Sequence, residues 1–196
     1  MRTAWSLLML AILLAHRGGA AAPGTDPDWP CAQPLVETVS AAMLWRGPPL
    51  DAEIDWQSDP AAATLVGAIL PREVATADGL AAIAAYLGQH RQARQAAILR
   101  AAAGLLQENN LARAKLLAQI KNLAVRQRGL ADIVAALNHE RALPDRFDDA
   151  ELLERWNFSR RSFYEMQQTL RYVCEIPAQL DRRLGQYLDA LAAGLR

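Results

Sequence analysis

The sequence contains few of the residues from which catalytic and redox sites are built. Its two cysteines, Cys31 and Cys174, form no CxxC or CxxCH arrangement, which excludes the common redox motif and the covalent haem motif. Its three histidines show neither HxxxH nor HExxH spacing, so no zinc site is expected. The GxSxG, SxxK, GxGxxG and phosphate-loop motifs are also absent. We therefore expect no catalytic residue, no metal ion and no cofactor.

The sequence also lacks an apolar run long enough to span a membrane. A basic residue precedes a short apolar run at residues 4–15, and small residues follow at 20–22. The run of twelve residues falls short of the ~20 that a spanning helix needs, and this layout is typical of a secretory signal peptide. We predict a signal peptide over residues 1–21, cleavage after Ala20 or Ala21, no transmembrane segment in the mature chain, and a periplasmic or secreted location. An uncleaved anchor is the alternative.

Export changes the interpretation of the two cysteines, because exported proteins fold in an oxidising compartment. Cys31 lies near the mature N-terminus and Cys174 lies in the last quarter of the chain. A structural disulfide between them is predicted, and it would enclose most of the domain. A reactive pair or two free thiols are the alternatives.

Strand patterns and internal repeats are absent, whereas helical spacing is present along most of the chain. Residues 116–137 form the clearest amphipathic helix, which needs partner helices along its apolar face. The sequence predicts an all-α, up-and-down bundle of four to five main helices over residues 58–196. An N-terminal arm, residues 22–57, contains a short helix, is pinned across the bundle by the disulfide and belongs to the same domain. The apolar face of residues 116–137 consists of Leu116, Ile120, Leu123, Leu130, Val134 and Leu137.

Local signals predict several helix starts. Asp59 followed by Pro60 indicates an N-cap with proline in the first turn. Thr76 or Asp78 is expected to cap the next helix. Asp148 is expected to cap the helix that follows the amphipathic one.

Three other signals concern the continuity of the helices. The short helix of the arm is expected over residues 35–45. The pair Asn109-Asn110 favours a turn, and a single long helix through it is the alternative. Pro177 predicts a kinked or two-part C-terminal helix.

Charge is segregated along the chain although the formal net charge is zero. Residues 23–78 hold nine acidic and two basic residues, whereas residues 79–130 hold eight basic residues and one acidic residue. Either the acidic segment folds over the basic helices, or these helices face an envelope protein, an anionic lipid or a polyanionic sugar. Nucleic acid is not expected, because the chain has no net positive charge and no stacking motif. The basic face comprises Arg91, Arg94, Arg100, Arg113, Lys115, Lys121, Arg126 and Arg128.

Tryptophan is concentrated in the arm. We expect the rings to attach the arm to the bundle beside the disulfide, because each ring buries a large area while its N–H needs one partner. The alternative is an aromatic cleft between arm and bundle that holds a small ligand through arginine side chains. The residues of this candidate cleft are Trp29, Trp45, Trp56, Trp156, Arg155, Arg160 and Arg171.

Four short motifs resemble an uncharacterised family of exported α-helical proteobacterial proteins. They are WPC at residues 29–31, LWRGPP at 44–49, RYVCEIP at 171–177 and LDRRL at 180–184. The resemblance implies an exported bacterial protein and assigns no catalytic residue.

Two functions are compatible with these features. One is a non-enzymatic accessory or protein-interaction module of the cell envelope. The other is a small-ligand carrier that uses the aromatic cleft. An enzyme has less support, because His90 and His139 lie on different predicted helices and the paired acids at helix starts are explained by the helix dipole.

Overall fold

The computed structural model describes residues 26–196 apart from residues 52, 93 and 147, so the predicted signal peptide lies outside the described residues. This part of the chain forms six helices and no strand, which confirms the predicted all-α bundle with an arm. Within it, no helix is both long and apolar enough to cross a membrane. The helices are α1 (Ala41–Leu44), α2 (Pro60–Ile69), α3 (Thr76–Gln89), α4 (Arg94–Arg141), α5 (Ala150–Cys174) and α6 (Ile176–Ala193).

One hydrophobic core, which we call the base, lies between four of these helices. The helices α2 and α3, the N-terminal part of α4 and the C-terminal part of α6 contribute side chains to it, together with two tryptophans of the arm. Tyr187 of α6 is fully buried against Gly79 of α3, where a Cβ atom would lie 2.2 Å from the phenol oxygen. This close approach of α3 and α6 therefore requires glycine at residue 79.

The helix α4 is a single helix of 48 residues, about 72 Å long at 1.5 Å per residue. The N-terminal part of α4 lies in the base, and its C-terminal part packs antiparallel against α5. The helix α5 contributes no residue to the base. We call residues 111–174 the hairpin. The predicted apolar face of α4 packs inside the hairpin, where Ile120 and Leu137 are buried and the other four residues are half-buried.

The expected turn at Asn109-Asn110 is wrong, and the alternative of one long helix is right. Asn109 is buried, and the side-chain amide of Asn110 bonds to both backbone groups of Val39 in the arm. Asparagine in a helix costs roughly 0.5–0.7 kcal/mol relative to alanine. Two hydrogen bonds contribute about 0.5–1.5 kcal/mol each, so the tertiary contacts outweigh the local preference.

The expected helix over residues 35–45 is largely wrong. Only Ala41–Leu44 is helical, and residues 34–40 form no regular structure. The backbone of Val39 bonds to α4, and so does the carbonyl of Val36. Because α4 supplies these partners, the backbone groups of Val36 and Val39 are satisfied without the internal hydrogen bonds of a helix.

Two predicted boundaries are confirmed. Asp59 caps α2 by accepting hydrogen bonds from the N–H groups of Ala61 at 3.0 Å and Ala62 at 3.2 Å. Glu175 alone separates α5 from α6, and Pro177 lies in the first turn of α6, where its missing N–H costs nothing. The C-terminal helix is therefore in two parts.

Two predicted caps are wrong by one to three residues. The residue that precedes α3 is Ala75, so Thr76 and Asp78 lie inside the first turn. Asp149, not Asp148, caps α5 by accepting a hydrogen bond from a backbone N–H of the first turn. The sequence does not show which of several neighbouring residues with similar capping ability is the cap, because packing decides where the first turn begins.

We expect Asp59→Ala to lower the free energy of unfolding by about 1–2 kcal/mol, because α2 loses its cap. Asp59 also pairs with Arg100 at 3.3 Å. The hydrogen bond from the N–H of Ala62 is the main reason why the pKa of Asp59 lies below its usual 3.8. The stabilisation is therefore complete above pH 3.8 and is lost as the pH falls through the lowered pKa of the folded state.

Urea denaturation at neutral pH and below the folded-state pKa checks this expectation. Asp59→Asn is the control, because it keeps a capping oxygen and removes the charge. An equal loss of stability in Asp59→Ala at both pH values would contradict the assigned cause.

Candidate interaction surface

The arm runs along α4 in the direction opposite to that helix. Hydrogen bonds and ion pairs connect the two from Gln107 to Arg128, over 21 positions of α4 or about 32 Å. From the N-terminal end of α4 the pairs are Gln107 with Trp56, Asn110 with the backbone of Val39, Arg113 with the backbone of Val36, Lys121 with Asp26 and Arg128 with Asp28.

Two polar side chains of α4, which we call the polar clamp, hold the extended backbone of the arm. Asn110 accepts a hydrogen bond from the N–H of Val39 at 3.0 Å and donates one to its carbonyl at 2.9 Å. Arg113, which is only 4% exposed, donates from Nε to the carbonyl of Val36 at 2.9 Å. Its guanidinium also pairs with Asp181 of α6 at 2.6 Å. The polar clamp therefore joins the arm, α4 and α6.

The predicted disulfide is present and fastens the arm to the end of α5. The Cα atoms of Cys31 and Cys174 lie 5.5 Å apart. Beside the bond, Gln33 donates to the carboxylate of Glu175 at 3.2 Å, and Trp29 donates to the carbonyl of Gln33 at 2.7 Å. The arm is thus covalently and non-covalently attached where α5 meets α6.

The four tryptophans lie in different parts of the molecule. Trp45 and Trp56 are buried in the base, where their N–H groups donate to the carbonyl of Pro48 and to Gln107. Trp29 lies beside the disulfide. Trp156 lies at the far end of the hairpin, where its N–H donates to Asn138 at 2.6 Å.

The candidate aromatic cleft is therefore not assembled from these rings. The residues of α4 that bond to Trp56 and Trp156 are 31 positions apart, or about 46 Å. Arg160 lies over the ring of Trp156 at 4.4 Å. Arg171 lines a cavity beside the disulfide, and Arg155 is exposed on α5. The structure brings together Trp156 and Arg160 from this set, and Arg141 from outside it lies 4.3 Å from the same ring.

Half of the basic face is paired with carboxylates. Three of the four partners come from the acidic N-terminal segment, so that segment does fold over part of the basic helices. The hydrogen bond between Lys121 and Asp26 lowers the pKa of Asp26 and raises the pKa of Lys121. Arg94 donates to a backbone carbonyl near the C-terminus. No ion pair within the described ranges involves the other three basic residues, which are Arg91, Lys115 and Arg126.

The exposed large hydrophobic side chains are concentrated on the hairpin. Eight of the nine that the structure describes lie there, and Met43 alone lies on the arm. Phe158 is 70% exposed and Tyr172 is 65% exposed. Their spacing of 14 residues places them within about 40° of each other on α5. The full set on the hairpin is Leu111, Val125, Ile133, Leu143, Leu153, Phe158, Tyr164 and Tyr172.

A second outward line of side chains runs along α4. Lys115, Arg126 and Ile133 follow one another at intervals of 11 and 7 residues, which places them in one row that we call the outer stripe, and all three are exposed. Lys121 and Arg128, which pair with carboxylates of the arm, lie about 120–160° away around the helix. Sequence analysis identified the charges of this row but not the exposed aromatics of α5. The spacing of Phe158 and Tyr172 was the available signal.

The two histidines that the structure describes lie apart and do not converge on an acidic site. His90 follows α3 and its Nδ1 is hydrogen-bonded to the carbonyl of Tyr86 at 2.8 Å, whereas His139 is exposed near the C-terminal end of α4. In the part of the chain that the structure describes, no group of three or more potential metal ligands occurs.

We expect Asn110→Ala to lower the free energy of unfolding by about 1–3 kcal/mol, because the partly buried backbone groups of Val39 lose both partners. Urea denaturation measures the loss. Hydrogen exchange at the amide of Val39 should accelerate by a larger factor than exchange in the base.

The matched control is Asn122→Ala, an exposed asparagine on the same helix. It should raise the free energy of unfolding by about 0.5–0.7 kcal/mol, because alanine has the higher helix propensity. Equal losses in the two variants, or unchanged exchange at Val39, would show that the polar clamp does not hold the arm.

No protein-family model matches this chain, no curated protein matches it, and no solved structure matches it. The resemblance to exported helical proteins stays a prediction from four motifs. A functional proposal for this chain rests on its geometry.

Proposed function

We propose that this chain is an exported, non-enzymatic helical protein of the cell envelope whose hairpin binds another protein. The observation that supports this proposal is the distribution of exposed hydrophobic side chains among the described residues, eight of which lie on the hairpin and one on the arm. Concentrated exposed apolar surface is typical of protein-interaction sites.

The packing of α5 explains why the hairpin exposes hydrophobic side chains. Along most of its length α5 packs against α4 and contacts no other helix, and only its C-terminal end meets α6. In the described structure, the faces of α5 that turn away from α4 therefore pack against no other helix before its C-terminal end, where the arm and α6 meet it. Aromatic side chains in such positions bury large areas when a partner covers them.

The arm indicates the chemistry of the partner. It is an acidic, extended segment, and it binds α4 through ion pairs with Lys121 and Arg128. The outer stripe repeats this chemistry about 120–160° away around the helix, because Lys115 and Arg126 are exposed there next to the apolar Ile133. We infer a protein partner that presents acidic and apolar side chains, since opposite charge favours association and burial of apolar area supplies affinity.

Export is the second part of the proposal. The Cys31–Cys174 bond supports it, because disulfides persist in oxidising compartments and are rare in the cytosol of most organisms. The N-terminal signal-peptide pattern supports it independently. The two features agree with each other, since the bond needs the compartment to which the pattern leads.

Export has a mass-spectrometric test. Protein isolated from the envelope should begin at Ala21 or Ala22 and should not react with maleimide, because both thiols are in the disulfide. A chain made without residues 1–21 should stay in the cytoplasm with both thiols reactive. An envelope protein that retains residues 1–20 would contradict the proposed cleavage.

Site-specific photocrosslinking in living cells tests the hairpin. A photoreactive phenylalanine analogue replaces Phe158 or Tyr172, and the matched control carries it at Met43, an exposed hydrophobic residue of the arm. We expect one protein adduct from both hairpin positions and none from residue 43. The adduct should weaken several-fold in Lys115→Glu/Arg126→Glu.

Three outcomes would contradict the hairpin proposal. One is equal crosslinking at residue 43, and another is the absence of a protein adduct from both hairpin positions. The third is an adduct with lipid or polysaccharide in place of protein, which would mean that the basic face binds an anionic surface.

A further inference from the structure

A groove beside the base lies between α2, α4 and α6. Its volume is about 520 Å³, within the ~300–1,000 Å³ that small-molecule sites occupy. Trp56, Val66, Leu70 and Leu180 provide apolar walls. The polar groups that line it include Asn109 of α4.

Asn109 is the residue that the fold alone does not explain. Its side chain is 3% exposed, and its Nδ2 is buried without a hydrogen-bond partner among the described residues. An unpaired buried amide destabilises a folded protein, and leucine or alanine would pack here without that cost. The neighbouring Asn110 uses both atoms of its amide on the arm, which shows how α4 otherwise satisfies such a group. A hydrogen-bond acceptor on a bound molecule would give Nδ2 of Asn109 the partner that it lacks within the described chain.

Arg183 supplies a fixed positive charge at the same groove. Its guanidinium donates to the carbonyls of Pro71 at 3.0 Å and Leu70 at 2.5 Å, which anchors it between α2 and α6. Arginine has five N–H donors, so donors remain after these two bonds. Glu108, the other charged residue that lines the groove, is half-exposed. The groove therefore has a buried hydrogen-bond donor without a partner in the described structure, which is Nδ2 of Asn109, and a positive charge held in place, which is Arg183.

We propose that this groove binds a small apolar monocarboxylate. The hydrocarbon part lies against Trp56 and Leu70, and the carboxylate accepts hydrogen bonds from Nδ2 of Asn109 and from Arg183. A carboxylate accepts from both groups at once, and charge-assisted bonds of this kind are about twice as strong as neutral ones. None of the exposed hydrophobic side chains that the structure describes on the hairpin lines this groove.

Three ligands with the same ten-carbon chain and different head groups test the proposal. They are added to the full-length protein purified from the cells that produce it. Decanoate, decanol and decylamine are titrated below their aggregation concentrations by calorimetry, and each complex is melted. We expect decanoate to bind at one site and to raise the melting temperature. Decanol and decylamine should bind at least about tenfold more weakly, which corresponds to the loss of one charge-assisted contact.

Two variants and a matched control locate the site. Gly67 lines the groove, and a Cβ atom there meets nothing within 4 Å, so Gly67→Phe should fold and block the groove. Asn109→Leu should fold as stably as the wild type and lose at least about tenfold in affinity for decanoate. Gly129→Phe is the control, because Gly129 also meets nothing within 4 Å and lies about 30 Å along α4 from Asn109.

The proposal is overturned if decanoate does not bind, or if Gly67→Phe and Asn109→Leu bind it as Gly129→Phe does. Equal affinity for decanoate and decanol would also overturn it, because the groove would then recognise only an apolar chain. Crosslinking at Phe158 is measured separately on the same Gly67→Phe protein. A retained adduct with lost decanoate binding would show that the two sites are distinct.

Discussion

The position of the arm depends on two side chains of α4. An extended segment beside a helix has no neighbouring strand, so its backbone groups need partners from elsewhere. Asn110 provides a donor and an acceptor to Val39, and Arg113 binds the carbonyl of Val36. Because Arg113 also pairs with Asp181, three elements meet at one buried guanidinium. The ion pairs of Lys121 and Arg128 with the arm lie farther along α4 from this contact.

The disulfide complements the polar clamp. The clamp orients the arm, and the bond between Cys31 and Cys174 ties it to the junction of α5 and α6. The bonded residues are 143 positions apart. In the chain-entropy account, closing so large a loop destabilises the unfolded state by about 5 kcal/mol. The restart of the helix at Pro177, three residues after Cys174, redirects the chain from the hairpin into the base.

The base and the hairpin differ in the side chains that they bury and expose. In the base, apolar side chains are buried and a single groove residue, Asn109, keeps an unpaired buried amide nitrogen among the described groups. In the hairpin, two helices cover each other on one face and leave aromatic and basic side chains outside. The proposed protein-binding surface and the proposed small-molecule site therefore share no residue.

Local sequence determined the helical class, the start of α2 at Asp59, the interruption at Pro177 and the apolar face of the hairpin. These follow from residue spacing and backbone chemistry that act over a few turns. The pairing of Cys31 with Cys174 followed from their number and the predicted compartment. Tertiary structure alone decided that Asn110 stays helical and Val39 does not, because each depends on the other across 71 positions. The same holds for the separated tryptophans, the exposed Phe158 and the unpaired amide of Asn109, since burial and hydrogen bonding depend on which distant residues arrive beside a side chain.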